Sequence, residues 1–154
     1  MYLAQLHILL ADDDTDDCLF FNEAIAALIH PENFTAVHDG EQLMQLLTVQ
    51  KNNIPDVLFL DLNMPRKNGF ECLTEIKNNL QLKSLPVVIF STSFEQEVVN
   101  LLYSGGAQYF IRKPSEFEQF KNIILYTLTL ILQKNKSQPA PENFVLTIEN
   151  SLII

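Results

Sequence analysis

Short apolar runs alternate with amphipathic segments along most of this chain. Five mainly apolar runs predict β-strands at residues 6–11, 34–38, 57–60, 87–90 and 109–111. Segments with apolar positions at helical spacing predict helices at residues 16–29, 41–50, 69–79, 95–104 and 116–133. Nearly continuous apolar strands are typical of a parallel sheet covered on both faces. The alternation therefore predicts an α/β fold, a doubly wound parallel sheet of five strands with five helices.

The pattern changes after residue 133. Residues 134–143, KNKSQPAPEN, are polar and contain two prolines, which is typical of a linker. Residues 144–154, FVLTIENSLII, are apolar and rich in β-branched side chains. Two interpretations of this end stay open: a frayed tail, or a strand that docks elsewhere on the protein.

Composition narrows the classes of function. The 154 residues favour a single domain, and the net charge of −9 argues against a nucleic-acid surface, which needs clustered Lys and Arg. The longest apolar run, within residues 123–132, is too short for a membrane span. Cys18 and Cys72 lack metal-binding spacing, and the N-terminus lacks the pattern of a signal peptide. We expect a cytoplasmic protein that binds neither nucleic acid nor membrane.

Chemically active side chains follow four of the five predicted strands. In order along the chain they are Asp12, Asp13, Asp61, Ser91, Thr92 and Lys113. The carboxyl ends of parallel strands meet at one edge of a sheet, where ligands bind in this class of fold. Crowded carboxylates are tolerated when a hard divalent cation neutralises them, and Mg²⁺ prefers oxygen ligands. The sequence therefore predicts a magnesium site with a neighbouring hydroxyl and ammonium group.

The acidic run after the first strand has two other interpretations. Residues 14–17 are expected to cap the following helix, because acidic side chains favour its first turn. An EF-hand loop starting at Asp12 would need glycine at its sixth position, and that position is Asp17. The preceding segment also predicts a strand and not a helix, so the EF-hand is rejected.

Four segments of the chain resemble, in their order and spacing, the response-regulator receiver domain. This domain is the phosphoacceptor module of two-component signalling and is related to the chemotaxis receivers. They are HILLADDDTDD, DVLFLDLNMPRKNGFE, LPVVIFSTS and GAQYFIRKPSEFEQF. The resemblance covers about residues 6–133 and implies a flavodoxin-like receiver fold. It extends to the single-domain receivers that partner bacterial phytochrome-type and hybrid histidine kinases.

The resemblance implies a phosphoryl site. Asp61 would accept a phosphoryl group from a histidine kinase or a phosphotransfer protein. Lys113 and Ser91 would contact the phosphoryl oxygens, with Thr92 as a neighbour of the site. The chain would then be a signalling protein that promotes its own phosphorylation and dephosphorylation, and not an enzyme acting on other substrates.

The resemblance also implies a metal site. Asp13, Asp61 and the backbone carbonyl of Asn63 would bind Mg²⁺ or Mn²⁺ directly. Asp12, which neighbours the phosphoryl site, would act on the metal largely through water.

A conformational switch is implied as well. In the family, phosphorylation draws a hydroxyl inward and an aromatic residue on the fifth strand follows; the matching residues here are Ser91 and Phe110. Phe110 has no hydroxyl, so coupling would rest on packing, and a static core ring is the alternative. The family pattern also has a cis peptide bond at the position of Lys113–Pro114.

The resemblance divides the chain into a receiver domain at residues 1–133 and a linker with an apolar tail at residues 134–154, without an output domain. We therefore expect signalling through a downstream protein partner. The last predicted helix has more apolar residues than one core stripe needs, so we also predict a homodimer through this helix and the tail, or burial of the helix by the tail.

Two other functions compete with that of a phosphoacceptor. The first is a receiver-fold scaffold that is not phosphorylated. The second is a phosphohydrolase of the haloacid-dehalogenase type, which needs an acid two residues after its nucleophile; that position is Asn63, which cannot transfer the proton.

Overall fold

The computed structural model describes residues 2–49, 53–133 and 137–148. Within these ranges the strands are β1 (Ile8–Ala11), β2 (Phe34–Val37), β3 (Val57–Leu60), β4 (Val87–Ser91), β5 (Tyr109–Arg112) and β6 (Val145–Leu146). The helices are α1 (Thr15–Ile25), α2 (Gly40–Val49), α3 (Gly69–Lys77), α4 (Gln96–Ser104) and α5 (Phe117–Gln133). None of these helices has the length and apolarity needed to cross a membrane.

All strands run parallel in one sheet of order β2-β1-β3-β4-β5-β6. The predicted fold class is confirmed, but the predicted number of five strands was wrong, because β6 pairs with the outer edge of β5. Val145 of β6 lies opposite Phe110 in this pairing. A strand of two residues is too short to show the periodicity from which strands are predicted.

Helices cover both faces of the sheet, and the strands are therefore apolar on both sides. Leu9 and Ala11 of β1 belong to the core layer shared with α2, α3 and α4. Ile8 and Leu10 of the same strand belong to the layer shared with α1 and α5. This alternation of side chains across a strand explains the uninterrupted apolar runs of the sequence.

Most apolar side chains of α5 are covered within the single chain. The fully buried ones include Phe120, Ile123 and Leu128, and others such as Leu130 and Ile131 are half-buried against the same core layer. The short 3-10 turn Leu3–Gln5 also contacts this helix. The protein itself therefore buries much of the helix for which we predicted a partner, and the homodimer stays a prediction.

Residues 137–146, here called the tail strap, close the outer edge of β5. The Gln138 side-chain amide donates hydrogen bonds to the backbone carbonyls of Tyr103 (2.7 Å) and Ala107 (2.6 Å) at the end of α4. The buried ring of Phe144 meets the Tyr103 ring edge-on at 5.2 Å. The backbone N–H of Phe110 donates to the Phe144 carbonyl at 3.0 Å. Of the two interpretations of the tail, a docked strand is the one observed for residues 145–146.

Candidate functional site

Three aspartates meet at the carboxyl edge of the sheet. Asp12 and Asp13 directly follow β1, and Asp61 directly follows β3, whose neighbour in the sheet is β1. The Asp61 backbone N–H donates to the Ala11 carbonyl at 2.9 Å, which fixes the two strand ends side by side. Carboxylate oxygens of the three aspartates all lie within 4.8 Å of one another. Asp12 and Asp61 are buried and Asp13 is exposed, so the cluster opens to solvent on one side.

Lys113 brings one positive charge to these carboxylates from the end of β5. Its Nζ lies 2.7 Å from Asp12 Oδ2, 2.8 Å from Asp17 Oδ2 and 3.9 Å from Asp61 Oδ1. The ammonium also lies 5.1 Å from the centroid of the Phe90 ring, a cation–π contact. The Lys113 side chain is 6% exposed, so its charge is poorly screened by water.

Asp17 was not predicted to belong to this cluster. The capping prediction is confirmed for Asp14, whose Oδ1 accepts from the backbone N–H groups of Asp16 (2.9 Å) and Asp17 (3.2 Å). The side chain of Asp17 instead accepts a hydrogen bond from Lys113. The available signal was its place in the first turn of a helix that starts at the same edge of the sheet.

The pKa values of the cluster follow from burial and crowding. The pKa of Asp61 is raised to about 7: burial raises it most, the Lys113 ammonium lowers it, and the Asp12 charge raises it. Burial also raises the pKa of Asp12, against the opposing hydrogen bond from Lys113. Burial alone would lower the pKa of Lys113, but its hydrogen bonds with Asp12 and Asp17 outweigh this and the pKa is raised. One ammonium thus serves more carboxylates than it can neutralise.

This donor set fits a hard divalent cation. Mg²⁺ takes one or two carboxylates together with other oxygen ligands, and the cluster supplies closely spaced carboxylate oxygens in excess of positive charge. Asn63 lies two residues after Asp61 on the exposed side of the loop, and its backbone N–H lowers the pKa of Asp61 by hydrogen bonding. The role of its carbonyl as a ligand stays a prediction.

The hydroxyl groups at the carboxyl end of β4 differ in their surroundings. Ser91 is buried, and its Oγ lies 3.2 Å from Ser93 Oγ and accepts from the Ser93 backbone N–H at 3.3 Å. Thr92 is exposed. Ser93, which was not predicted to be a site residue, therefore holds the Ser91 hydroxyl in this structure.

Phe110 of β5 is a buried ring with a half-exposed neighbour. Its ring meets that of Phe94 edge-on at 5.9 Å, and Phe94 is 39% exposed.

The peptide bond between Lys113 and Pro114 is trans, so the cis bond implied by the resemblance is not observed. A trans bond is the more stable form for most residues preceding proline.

The strand ends thus combine paired carboxylates, a third carboxylate, a hydroxyl and an ammonium in the order of a phosphoacceptor module. The family profile of the response regulator receiver domain matches residues 8–125. The chain therefore belongs to the response-regulator receiver family. It is a receiver domain of a two-component response regulator, as the resemblance implied.

Individual relatives agree with this assignment. The chain is 32% identical to the response regulator Rcp1 of Synechocystis sp. over 121 residues, which are 76% of this chain and 82% of Rcp1. It is 27% identical to the probable methanogenesis regulatory protein FilR2 of Methanothrix harundinacea over 120 residues, 76% of this chain and 77% of FilR2.

Two solved structures share the fold over most of the chain. The phosphorylated cyanobacterial phytochrome response regulator RcpA has a TM-score of 0.77 and 30% identity, with 89% of this chain and 100% of RcpA covered. The Mn²⁺-bound form of Rcp1 has a TM-score of 0.73 and 26% identity, with 86% of this chain and 98% of Rcp1 covered.

Proposed function

We propose that this receiver domain accepts a phosphoryl group on Asp61 from the phosphohistidine of a histidine kinase or a phosphotransfer protein. The observation that carries the proposal is the buried Asp61 carboxylate, placed beside two further aspartates and 3.9 Å from the Lys113 ammonium. We further propose that the phosphorylated protein acts in the cytoplasm on a downstream protein partner.

The chemistry requires an ionised Asp61. One carboxylate oxygen forms a bond to phosphorus while the phosphorus–nitrogen bond of the donor breaks, and the donor nitrogen keeps the electron pair. The product is an acyl phosphate, a covalent but labile state. The transition state carries spread negative charge, so positioning and electrostatic stabilisation carry most of the catalysis. Lys113 supplies a fixed, buried positive charge for this purpose.

We propose that Asp13, Asp61 and the Asn63 carbonyl hold Mg²⁺ or Mn²⁺, with Asp12 acting through water. A bound cation supplies positive charge for the crowded carboxylates and the phosphoryl oxygens. It also favours the ionised form of Asp61, whose pKa burial otherwise raises to about 7. Rcp1 in its Mn²⁺-bound form supports the metal site by homology, and phosphorylated RcpA supports the phosphorylation of Asp61.

We propose that Ser91 and Phe110 transmit the signal. In this structure the Ser91 hydroxyl contacts Ser93, and on phosphorylation it would exchange these contacts for the phosphoryl oxygens on Asp61. Phe94 follows directly in the same loop and packs against the Phe110 ring. Movement of the loop therefore changes the support of Phe110 by packing, without any hydroxyl on that ring.

The test is the intact mass of the full chain after incubation with acetyl phosphate and Mg²⁺. We expect a gain of one phosphoryl group, which is lost in the Asp61→Asn variant and when EDTA replaces Mg²⁺. A second arm uses a phosphorylated histidine kinase as donor, because a phosphohistidine is the donor in the proposed function.

The outcomes separate the competing functions. A stable Asp61-dependent gain supports the phosphoacceptor. No gain with either donor would leave the unphosphorylated scaffold. Sustained release of phosphate from unrelated phosphate esters would favour the phosphohydrolase.

A further inference from the structure

The loop between β3 and α3 contains a strained turn next to the proposed metal site. Arg66 has φ = +68°, and within the described ranges it is the only non-glycine residue with positive φ. The Lys67 backbone N–H donates to the Pro65 carbonyl at 2.8 Å, which closes a three-residue γ-turn around Arg66. A non-glycine residue in this conformation is strained and persists only where surrounding contacts enforce it.

An ion pair with a buried carboxylate supplies such a contact. Arg66 Nη1 lies 2.7 Å from Oδ2 of Asp39, whose side chain is 4% exposed, at the start of α2. Oδ1 of Asp39 accepts from the Gln42 backbone N–H at 2.8 Å. Asp39 is thus fixed by its own helix, and the hydrogen bonds from Gln42 and Arg66 lower its pKa. The carboxylate remains charged at neutral pH and available to Arg66.

Close backbone contacts brace both ends of the loop. A Cβ at Gly40 would lie 2.0 Å from the Lys67 carbonyl oxygen, so the loop packs directly on the first residue of α2. A Cβ at Gly69 would lie 2.4 Å from the carbonyl oxygen of Asp61, and Gly69 N–H donates to the Leu62 carbonyl at 3.0 Å. Asn63 and the turn at Arg66 both lie on the stretch of chain between these braces.

We propose that Arg66 is a positioning residue for the divalent cation: its ion pair with Asp39 holds the loop in the conformation in which Asn63 presents its carbonyl to the metal. The inference rests on the metal site of the proposed function. It adds a residue whose side chain is directed at Asp39 and acts on the metal only through the shape of the backbone.

The direction in which cation affinity changes when Arg66 is replaced separates a positioning role from a purely electrostatic one. Arg66 is positive, so removal of its charge alone would strengthen cation binding. Loss of the loop conformation would weaken binding instead. Lys67 provides a matched control, because it carries the same charge on the next residue and pairs with Glu75 and not with Asp39.

The experiment measures Mn²⁺ affinity of the full chain by electron paramagnetic resonance of free Mn²⁺, with thermal unfolding in parallel. We expect Arg66→Gln to weaken binding by about tenfold, the lower range seen when a partner of a metal ligand is lost. Lys67→Gln should bind as the wild type or slightly more tightly. Arg66→Gly should lose less than Arg66→Gln, because glycine adopts positive φ without strain.

The double variant Asp39→Asn with Arg66→Gln keeps the net charge of the wild type. Weakening like that of Arg66→Gln alone supports positioning, and wild-type affinity overturns it. Arg66→Gln binding as tightly as Lys67→Gln also overturns it, as does a lower melting temperature with unchanged affinity. If Arg66→Gln does not fold, Arg66→Gly and Asp39→Asn carry the test.

Failure of the proposed function has its own signature, because the wild-type chain would then bind no Mn²⁺ and gain no phosphoryl group, which overturns both proposals.

Discussion

Strand β5 is covered at two places, and the two coverings have opposite chemistry. At its carboxyl end, Lys113 lies among carboxylates that repel one another, and burial raises the pKa values of two of them, Asp12 and Asp61. Along its outer edge, the tail strap contributes the buried ring of Phe144 and the amide of Gln138. The first arrangement costs folding free energy when the carboxylates ionise, whereas the second stabilises the fold at any pH. Burial by itself therefore does not tell whether a region serves stability or chemistry.

The largest change in the free energy of unfolding is expected at Phe144, in the apolar covering of β5. Phe144→Ala should lower the free energy of unfolding by about 3 kcal/mol, because a buried phenylalanine is lost from the core. The loss should be similar at pH 5 and pH 8, since no charge is involved. Urea unfolding followed by circular dichroism measures it.

Phe94→Ala is the control for this prediction, because its ring is 39% exposed and should cost less. Equal losses for the two variants would show that the tail strap is not packed as the structure has it.

The second largest effect is expected at Asp61, in the polar cluster, where a substitution should raise the free energy of unfolding instead of lowering it. The folded-state pKa of Asp61, about 7, lies above the value of about 3.9 for an unfolded chain, so ionisation costs folding free energy as the pH rises between these values. At about 1.36 kcal/mol per pKa unit this difference amounts to about 4 kcal/mol. Because the cluster opens to water on one side, we expect Asp61→Asn to raise the free energy of unfolding at pH 8 in EDTA by about half of that, about 2 kcal/mol. The gain should shrink as the pH falls towards 4.

Urea unfolding of both proteins from pH 5 to pH 8 measures this difference, and excess Mg²⁺ should reduce it because the cation stabilises the native wild type. An Asp61→Asn protein that is less stable than wild type at pH 8 would contradict the strain assigned to the carboxylates.

The smallest change in the free energy of unfolding is expected at Gln138, the polar anchor of the tail strap. Gln138→Ala should cost about 1 kcal/mol, because the carbonyls of Tyr103 and Ala107 lose a donor. Gln96→Ala is the control, since its amide donates only to the exposed side chain of Asn100 and should change the free energy of unfolding little. Equal values for both variants would assign the docking of the strap to Phe144 alone.

The sequence predicted best where chemistry is local along the chain. Asp12, Asp13, Asp61 and Lys113 each follow a strand directly, so strand prediction alone was enough to bring them to one edge of the sheet. The contact between Lys113 and Asp17 was missed, because it depends on how α1 and β5 are placed in three dimensions and on the reach of two side chains.

Strand β6 and the turn at Arg66 could not be predicted from the sequence, for related reasons. A two-residue strand offers no period to detect, and its docking depends on hydrogen bonds from Gln138 and Phe110 to distant carbonyls. The left-handed conformation of Arg66 is not a preference of arginine. It is imposed by Asp39, a residue of another segment, and only the folded chain brings the two together.

The pairing of β6 with β5 also bears on synthesis and aggregation. An apolar strand such as Tyr109–Arg112, left at the side of a sheet, is a template for pairing with other chains. Because Val145 and Leu146 follow α5 in the chain, the ribosome completes β5 well before its cover emerges. At any stage of folding in which β5 has paired with β4 but Val145 and Leu146 have not yet docked, the edge of β5 is open to pairing with other chains. The late, two-residue strand ends that stage and is itself too short to recruit a further chain.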